Sequence, residues 1–300
     1  MTGLPKNLIA DTLNTRFRRV ERSHSNTHVI PRLHVSSLIK SGTQDAFCPR
    51  EFVLRYIEHT EQLGAGTPPK FELLYAVGHF YGEYIVNQFL RRNPDWAKYA
   101  WGDWTCRNHC HRIEKVCQHE IADQNCETCG NPYNVYLETD LFNPKGTVVG
   151  HADLIFNVDG YFYVYEFKSI DRADVVFNEI KEPLGDHLLQ ASNYYYMLKA
   201  MFKDTNYKVS KRIRFVYVDR SMAELYTSDP FREVEGDAVR LRRLHRIYDR
   251  AQACHDAIKK GVLPERICED ITCSRAKQCS KAISCFYRAK SKVRVPTPSD

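Results

Sequence analysis

The sequence lacks the features of membrane, secreted, repetitive or disordered proteins. Its 300 residues contain no apolar run of about 18 residues, the length that a transmembrane helix needs, and no internal repeat. The N-terminal stretch has no apolar segment followed by a small-residue cleavage site, so we expect no secretion. The hydrophobic fraction of 43% is enough for a core. We therefore expect a cytoplasmic globular protein of one large domain or two small ones.

A strong charge of one sign is also missing, whereas cysteine is abundant. The formal net charge is +6, which permits a polyanionic partner but does not require one. Without a secretory signal, the 11 cysteines indicate metal ligation in a reducing compartment rather than disulfides. Five of them lie between Cys106 and Cys129 and four between Cys268 and Cys285, while Cys48 and Cys254 stand apart. Scattered structural thiols would not cluster in this way.

The residue pattern along the chain predicts an α/β protein. Helical spacing of apolar residues indicates helices over 71–92, 186–203 and 232–260, and β-rich runs indicate strands within 135–169 and 207–226. We divide the chain into an N-terminal arm (1–34), a single domain (35–290) with a cysteine-rich, metal-organised insertion (101–132) and a second cysteine segment (268–285), and a basic tail (291–300).

The strongest chemical signal is a predicted hairpin. The runs 148–156 and 161–168 flank the turn sequence NVDG, and alternation along the second strand places Glu166 and Lys168 on one face. A two-residue loop would put Asp153 directly opposite Glu166, a four-residue loop would put it on the same face, and a three-residue loop would not. Carboxylates roughly 5–8 Å apart can share a magnesium or manganese ion. The alternative is an exposed ladder of ion pairs.

These motifs carry a family resemblance. GHAD ending at Asp153, EFK at 166–168 and QASNYYY from Gln190 resemble the PD-(D/E)XK nuclease superfamily, in particular its RecB/AddB-type exonucleases. The resemblance implies a restriction-endonuclease-like core, a mixed central sheet flanked by helices. It implies that Mg²⁺ or Mn²⁺ is held by Asp153, Glu166 and the Phe167 carbonyl, that Lys168 is catalytic, and that three residues of one helix face position the substrate: His187, Gln190 and Tyr194.

The first motif of such nucleases is less clear in this sequence. The family often has a helical histidine near the metal, and the nearby candidates are His79 and Glu83. For His79, a metal ligand and a packed helical histidine are both open. Glu138, on the strand that approaches the hairpin, is another acid, and we interpret it as a surface residue.

Cys48 and the C-terminal cysteines carry a second resemblance. The segment AFCPR around Cys48 resembles the N-terminal segment of iron–sulfur nucleases, including the CRISPR-associated RecB-like exonucleases. The resemblance implies a 4Fe–4S cluster that clasps the two ends of the domain. Cys279 and Cys285 have the family spacing, but the expected C-x-x-C pair is absent, so Cys273, or else Cys268, completes the set. Zinc bound by the C-terminal four cysteines, or free buried thiols, are the alternatives.

The middle cysteines indicate a zinc site. Short cysteine pairs separated by a spacer are typical of a zinc ribbon, since zinc takes four tetrahedral thiolate or imidazole ligands. The predicted ligands are Cys106, Cys110, Cys126 and Cys129. The residues that could replace one of them are Cys117, His109, His111 and His119.

Together these features lead to a functional hypothesis. We expect a metal-dependent DNA nuclease, an exonuclease that acts on DNA ends or single strands in recombination, repair or replication, without membrane association, in a bacterial cell or a phage-infected host. Basic residues in the segments KRIRF and RLRRLHR and in the basic tail are expected to contact phosphates. The alternative is a non-catalytic DNA-binding protein with a nuclease-like scaffold. A zinc-finger regulator would leave the hairpin unexplained.

Overall fold

The structure is a computed structural model that describes residues 32–39, 47–61, 83–170, 180–219 and 231–287. The chain divides into two compact units. The larger unit comprises Arg32–Phe47 and Phe80–Gln252, and the smaller unit comprises Met1–Pro31, Cys48–His79 and Ala253–Asp300. Most of the predicted N-terminal arm and the whole basic tail lie outside the described residues.

Helices and strands are mixed in the described part of the chain, which confirms the α/β class. The helices are α1 (Val35–Leu38), α2 (Pro49–Glu61), α3 (83–92), α4 (Pro94–Ala97), α5 (Gly185–Met201), α6 (Leu241–Lys260), α7 (Ser274–Gln278) and α8 (Ala282–Tyr287). The strands are β1 (Leu33–His34), β2 (Trp101–Cys106), β3 (Arg112–Cys117), β4 (Tyr133–Leu137), β5 (Thr139–Phe142), β6 (Val148–Ala152), β7 (Leu154–Val158), β8 (Tyr161–Ile170), β9 (Lys208–Val209), β10 (Arg212–Asp219) and β11 (Phe231–Asp237). No helix among these residues is long and apolar enough to cross a bilayer.

Two sheets of the larger unit meet at Asp153. One has the order β1-β6-β5, and the other has the order β11-β10-β8-β7, with β9 paired to β8. The predicted strand 148–156 is broken at Asp153, because β6 ends at Ala152 in the first sheet and β7 begins at Leu154 in the second. The β8–β10 pairing is parallel and the β7–β8 and β10–β11 pairings are antiparallel, so this second sheet is mixed.

Strands β2 and β3 of the predicted insertion, together with β4, which follows it, form a third sheet with the order β3-β2-β4. Its strand β2 pairs antiparallel with both neighbours, and its core residues Trp104 and Tyr136 are almost fully buried. The same hydrophobic cluster includes Leu154 and Phe156 of β7. The tyrosine hydroxyl of Tyr136 also accepts a hydrogen bond from the Ile155 amide at 3.3 Å. The third sheet and the hairpin therefore share one core.

Strand β11 corrects the prediction of a single helix over 232–260. Residues 231–237 pair antiparallel with β10, and the helix α6 begins only at Leu241. The sequence FREVEGD is strongly charged, which favoured a solvent-exposed helix. In the structure its acidic residues face the basic residues of β10, and Lys211 lies 2.9 Å from Asp237. Cross-strand opposite charges stabilise this exposed pairing.

The smaller unit has its own apolar cluster. Val53 and Ile57 of α2 are fully buried against Ile258, near the C-terminal end of α6. The Arg50 guanidinium donates hydrogen bonds to the carbonyl oxygens of Pro264, at 2.7 Å, and Cys285, at 3.4 Å. These contacts join the segment that begins at Cys48 to the C-terminal cysteine segment.

Candidate active site and cysteine clusters

A two-residue turn places Asp153 opposite Glu166. Asp159 and Gly160 have φ angles of 52° and 80°, the left-handed conformation that tight hairpin turns require. The register pairs Leu154 with Tyr165, and continuing it by one residue pairs Asp153 with Glu166. Of the loop lengths that the sequence left open, the structure has two residues.

Short hydrogen bonds hold this pair and Lys168 together. The Phe167 amide donates to Oδ2 of Asp153 at 2.6 Å, and Nζ of Lys168 donates to Oε1 of Glu166 at 2.5 Å. The amide and carbonyl of one residue point to the same side of a strand. The Phe167 carbonyl therefore lies on the edge of β8 that faces Asp153, where the sequence prediction placed a metal ligand.

A third carboxylate, Glu138, belongs to the same group. The pairing of Thr139 with Ala152 brings Glu138, one residue earlier, opposite Asp153. Burial, together with the charge of the hydrogen-bonded Asp153 carboxylate, raises the pKa of Glu138 to about 8. Sequence analysis had assigned Glu138 to the surface, because a single acid between two strands gives no signal of which residue it will face. The charge of Glu83, on α3, acts in the same direction.

The ion pair with Lys168 does not offset the effects of burial and of the Asp153 charge on the Glu166 carboxylate. Its residue is 1% exposed, and its Oε2 atom is buried without a hydrogen-bond partner. Burial and the neighbouring Asp153 raise the pKa of Glu166 to about 8, despite the ion pair with Lys168. Burial would lower the pKa of Lys168, but the carboxylates of Glu166 and Asp153 outweigh it and raise that pKa. A buried, unsatisfied carboxylate oxygen of this kind is costly unless a cation binds it.

Helix α5 places the three predicted substrate residues beside the acids. The Gln190 amide donates to the Tyr194 hydroxyl at 2.7 Å. Burial raises the pKa of Tyr194, and the negative charge of Glu166 acts in the same direction. Burial and the positive charge of Lys168 lower the pKa of His187 to about 4, and its ring lies 3.2 Å from the hydroxyl of Tyr217. Tyr217, on β10, was missed by sequence analysis because it is one of several aromatics in an apolar strand.

Gly150 of the GHAD segment has a steric role in this group. A Cβ atom at Gly150 would lie 2.4 Å from Cε1 of Tyr194 and 3.1 Å from a methyl carbon of Val35. Real carbon atoms do not approach so closely. Only glycine allows β6 to lie directly against the Tyr194 ring.

Four cysteines of the third sheet form a candidate metal site. Among the described residues, one group of three or more His, Cys, Asp or Glu brings its ligand atoms within 4.8 Å of one another, and it consists of Cys106, Cys110, Cys126 and Cys129. This is the predicted set. Cys117 is buried outside the group, His111 contacts Thr128 at 2.7 Å, and His119 contacts the Lys98 carbonyl at 2.6 Å. These alternative ligands therefore have other environments.

Backbone and side-chain N–H groups surround the sulfur atoms of this site. The Cys110 amide donates to the sulfur of Cys106 at 3.3 Å, and the Asn131 side chain donates to that of Cys129 at 3.4 Å. Burial raises the pKa of Cys106, but hydrogen bonds, chiefly from the Cys110 amide, outweigh it and lower the pKa to about 6. Because metals bind the thiolate, this environment favours ligation. The arrangement could hold a metal ion.

The second cysteine group lies within the smaller unit. Cys48, Cys268, Cys279 and Cys285 line one small cavity of about 20 Å³. The sulfur of Cys273 accepts a hydrogen bond from the Ala276 amide at 3.3 Å, as the N-cap of α7, and its thiol is hydrogen-bonded to that of Cys268.

Cys254 and His79 belong to neither of the two cysteine groups. Burial raises the pKa of Cys254 to about 12, and its thiol lies 4.0 Å from the Pro49 carbonyl oxygen. His79, the predicted low-ranking metal ligand, lies outside the described residues.

Comparisons with known proteins give little further information. No protein-family model matches the sequence, and no curated protein sequence matches it. A crystal structure of SSO0001 matches with 16% sequence identity and a TM-score of 0.44, over 97% of this chain and 99% of that one.

Proposed function

We propose that the larger unit is a divalent-metal-dependent DNA nuclease of the PD-(D/E)XK type, acting on DNA ends or single strands. The observation that carries the proposal is the buried Glu166 carboxylate, whose Oε2 has no hydrogen-bond partner and which faces Asp153 beside Lys168. Three carboxylates in one group, of which Glu166 is buried and Asp153 and Glu138 are half-buried, are the oxygen-rich donor set that Mg²⁺ and Mn²⁺ prefer. The mixed sheet, with α5 beside it, is consistent with the restriction-endonuclease-like core.

The residues have distinct roles in this proposal. Asp153, Glu166, Glu138 and the Phe167 carbonyl would hold the cation. When bound, it would polarise the scissile phosphate and lower the pKa of a water molecule. The Lys168 ammonium, held at Glu166, orients the attacking water and stabilises the negative charge that develops on the phosphate.

The residues of α5 act on the DNA strand rather than on the water. The buried Tyr194 hydroxyl accepts a hydrogen bond from the Gln190 amide, which fixes the half-buried Gln190 side chain as a polar contact for the strand. His187 stays neutral near pH 7, because its lowered pKa of about 4 leaves the ring without a proton. It therefore contributes hydrogen bonding rather than charge.

Substitution of Lys168 tests the proposal. We expect Lys168→Ala to abolish degradation of linear, labelled single-stranded DNA in Mn²⁺, while Lys203→Ala, at an exposed lysine beyond α5, keeps full activity. Circular single-stranded DNA should resist the wild-type enzyme if it is an exonuclease. Urea unfolding of each variant shows whether it is folded. If Lys168→Ala does not fold, Lys168→Met replaces it in the assay, because methionine keeps an unbranched apolar side chain and lacks only the charge.

Two outcomes would contradict the nuclease assignment. Equal degradation by wild type and Lys168→Ala would show that this site is not responsible. If neither protein cleaves but both bind DNA, the unit is a non-catalytic scaffold, which was the alternative from the sequence.

We further propose zinc for the cysteine site of the third sheet. Four sulfur atoms within 4.8 Å of one another suit a single tetrahedral ion, and the N–H donors around them are typical of thiolate sites. The site lies on turns at the ends of β2 and β3 and before β4, so its role is structural.

For the smaller unit we propose a 4Fe–4S cluster. The donor set around its cavity is Cys48, Cys268, Cys279 and Cys285, which favours Cys268 over Cys273 as the remaining ligand. These sulfur atoms do not form a group as tight as that of the third sheet, and a four-iron cluster fills the space between its thiolates.

Metal analysis of anaerobically purified protein separates the two cysteine sites. We expect a brown protein that contains both iron and zinc. Cys279→Ser should lose iron alone, and Cys268→Ser should lose more iron than Cys273→Ser. A colourless wild-type protein that contains only zinc would refute the iron–sulfur cluster.

A further inference from the structure

The exposed face of helix α6 carries arginines at regular intervals. Arg242, Arg246 and Arg250 follow one another every four residues, so they lie on one face of the helix and rise about 6 Å from one to the next. All three are exposed, whereas Leu244 and Ile247, on the opposite face, are buried. We call these three residues the arginine row.

The arginine row has no ion-pair partner among the residues that the structure describes. Asp249 lies one turn from Arg246, yet the two do not form an ion pair. Like charges four residues apart destabilise a helix. The arginine row therefore does not stabilise helix α6.

The basic residues of β10 differ in this respect. Lys211 lies 2.9 Å from Asp237, and Arg212 lies 3.6 Å from Glu235. The segment KRIRF was predicted to contact phosphates, but acidic residues of β11 compensate its charges. The basic tail lies outside the described residues, and of the other two basic segments that the sequence indicated, the one on α6 keeps its charge available.

The arginine row is fixed to the helix that carries the predicted substrate residues. Val239, three residues before Arg242, donates its amide to the Ser192 hydroxyl at 3.0 Å. Its carbonyl accepts a hydrogen bond from the Tyr196 hydroxyl at 3.0 Å. Ser192 and Tyr196 share one face of α5, and Gln190 and Tyr194 lie on the opposite face. The row therefore starts about one helical turn from a direct hydrogen bond to the site helix.

We propose that the arginine row binds the phosphate backbone of single-stranded DNA outside the acidic site, an inference that rests on the proposed nuclease function. Guanidinium groups bind phosphates with two parallel hydrogen bonds, and a linear row of them suits a linear polyanion. Within 242–250, the other exposed residues are Arg243, His245 and Asp249, none of which is apolar, so the face does not suit insertion into a lipid surface.

A pair of charge-matched variants tests this surface. Arg242→Gln/Arg246→Gln removes two charges from the row, and Lys211→Gln/Arg212→Gln removes two charges that already have partners. Glutamine keeps the helix propensity nearly unchanged. The measurement is the affinity of full-length protein for a fluorescent single-stranded oligonucleotide, in Ca²⁺ to prevent cleavage, over a series of salt concentrations. Urea unfolding establishes that both variants are folded.

The expected result is a change in salt dependence. In the row variant, the slope of log affinity against log salt should fall by about 1.4, or roughly 0.7 for each lost phosphate contact. The β10 variant should keep the wild-type slope. Equal loss in both variants would mean that only net charge matters, and an unchanged slope in the row variant would overturn the proposal. Loss of binding to phosphatidylserine vesicles without loss of DNA binding would overturn it as well.

The test is separable from that of the nuclease site. Binding in Ca²⁺ requires no cleavage, so weakened binding by the row variant stands even if Lys168→Ala proves as active as wild type. Conversely, the row variant should still cleave DNA at saturating concentrations, because it retains the acidic group. Failure of one proposal therefore does not imply failure of the other.

Discussion

Replacing Gly150 with alanine would disturb the contact between β6 and the Tyr194 ring. The added Cβ would lie 2.4 Å from Cε1 and 2.9 Å from Cδ1 of that ring. Non-bonded carbon atoms prefer about 3.5–4.0 Å, so the ring would have to withdraw by about 1 Å. The ring is 2% exposed, and its hydroxyl is hydrogen-bonded to Gln190, so it has little room to do so.

Two effects of different size follow from this displacement. Overpacking of a buried site costs about 1–3 kcal/mol of unfolding free energy. A shift of about 1 Å in a group that positions substrate can lower the rate about 100-fold. We therefore expect Gly150→Ala to remain folded but to lose much more activity than stability.

The assay combines urea unfolding with single-turnover cleavage of single-stranded DNA. Gly185→Ala, in the first turn of the same helix α5, is the matched control, since a Cβ there meets nothing within 4 Å. The control should be as active and at least as stable as wild type. If Gly150→Ala cleaves at the wild-type rate, Tyr194 does not position the substrate and the steric argument fails.

Two further predictions concern the buried acids and the cysteine site. In EDTA, the raised pKa of Glu166 means that the folded protein binds a proton that the unfolded chain releases, so stability should fall between about pH 5 and pH 8. Glu166→Gln should reduce this fall, while Glu138 maintains part of it. Identical urea midpoints for wild type and Glu166→Gln across this pH range would disprove the raised pKa of Glu166. Cys106→Ser should lose one equivalent of zinc, whereas Cys117→Ser should keep it; equal zinc in all three proteins would place the metal elsewhere.

The hairpin could be predicted from the sequence because its signals are local. The turn signal and the alternation of the second strand place Asp153 and Glu166 on one face for either even loop length, and the structure has the two-residue turn Asp159–Gly160. The four cysteines of the third sheet were also predictable, because short spacing limits which sulfur atoms can meet.

Features that depend on distant pairing were not predictable. Glu138 joins the acids only because β5 pairs with β6, and β11 forms only because β10 supplies opposite charges beside it. The residues next to these strands in the sequence do not indicate which strand will pair with them.

The shared core of the third sheet and the hairpin limits how this protein can be shortened or recombined. Trp104 and Tyr136 pack in the same cluster as Leu154 and Phe156, the residues that directly follow Asp153. An insertion with a separate core can be excised, and its ends rejoined, without harm to its host. Here excision of residues 101–132 would expose one side of β7, so the cysteine-rich segment and the acidic group must be inherited, transplanted and redesigned as one piece.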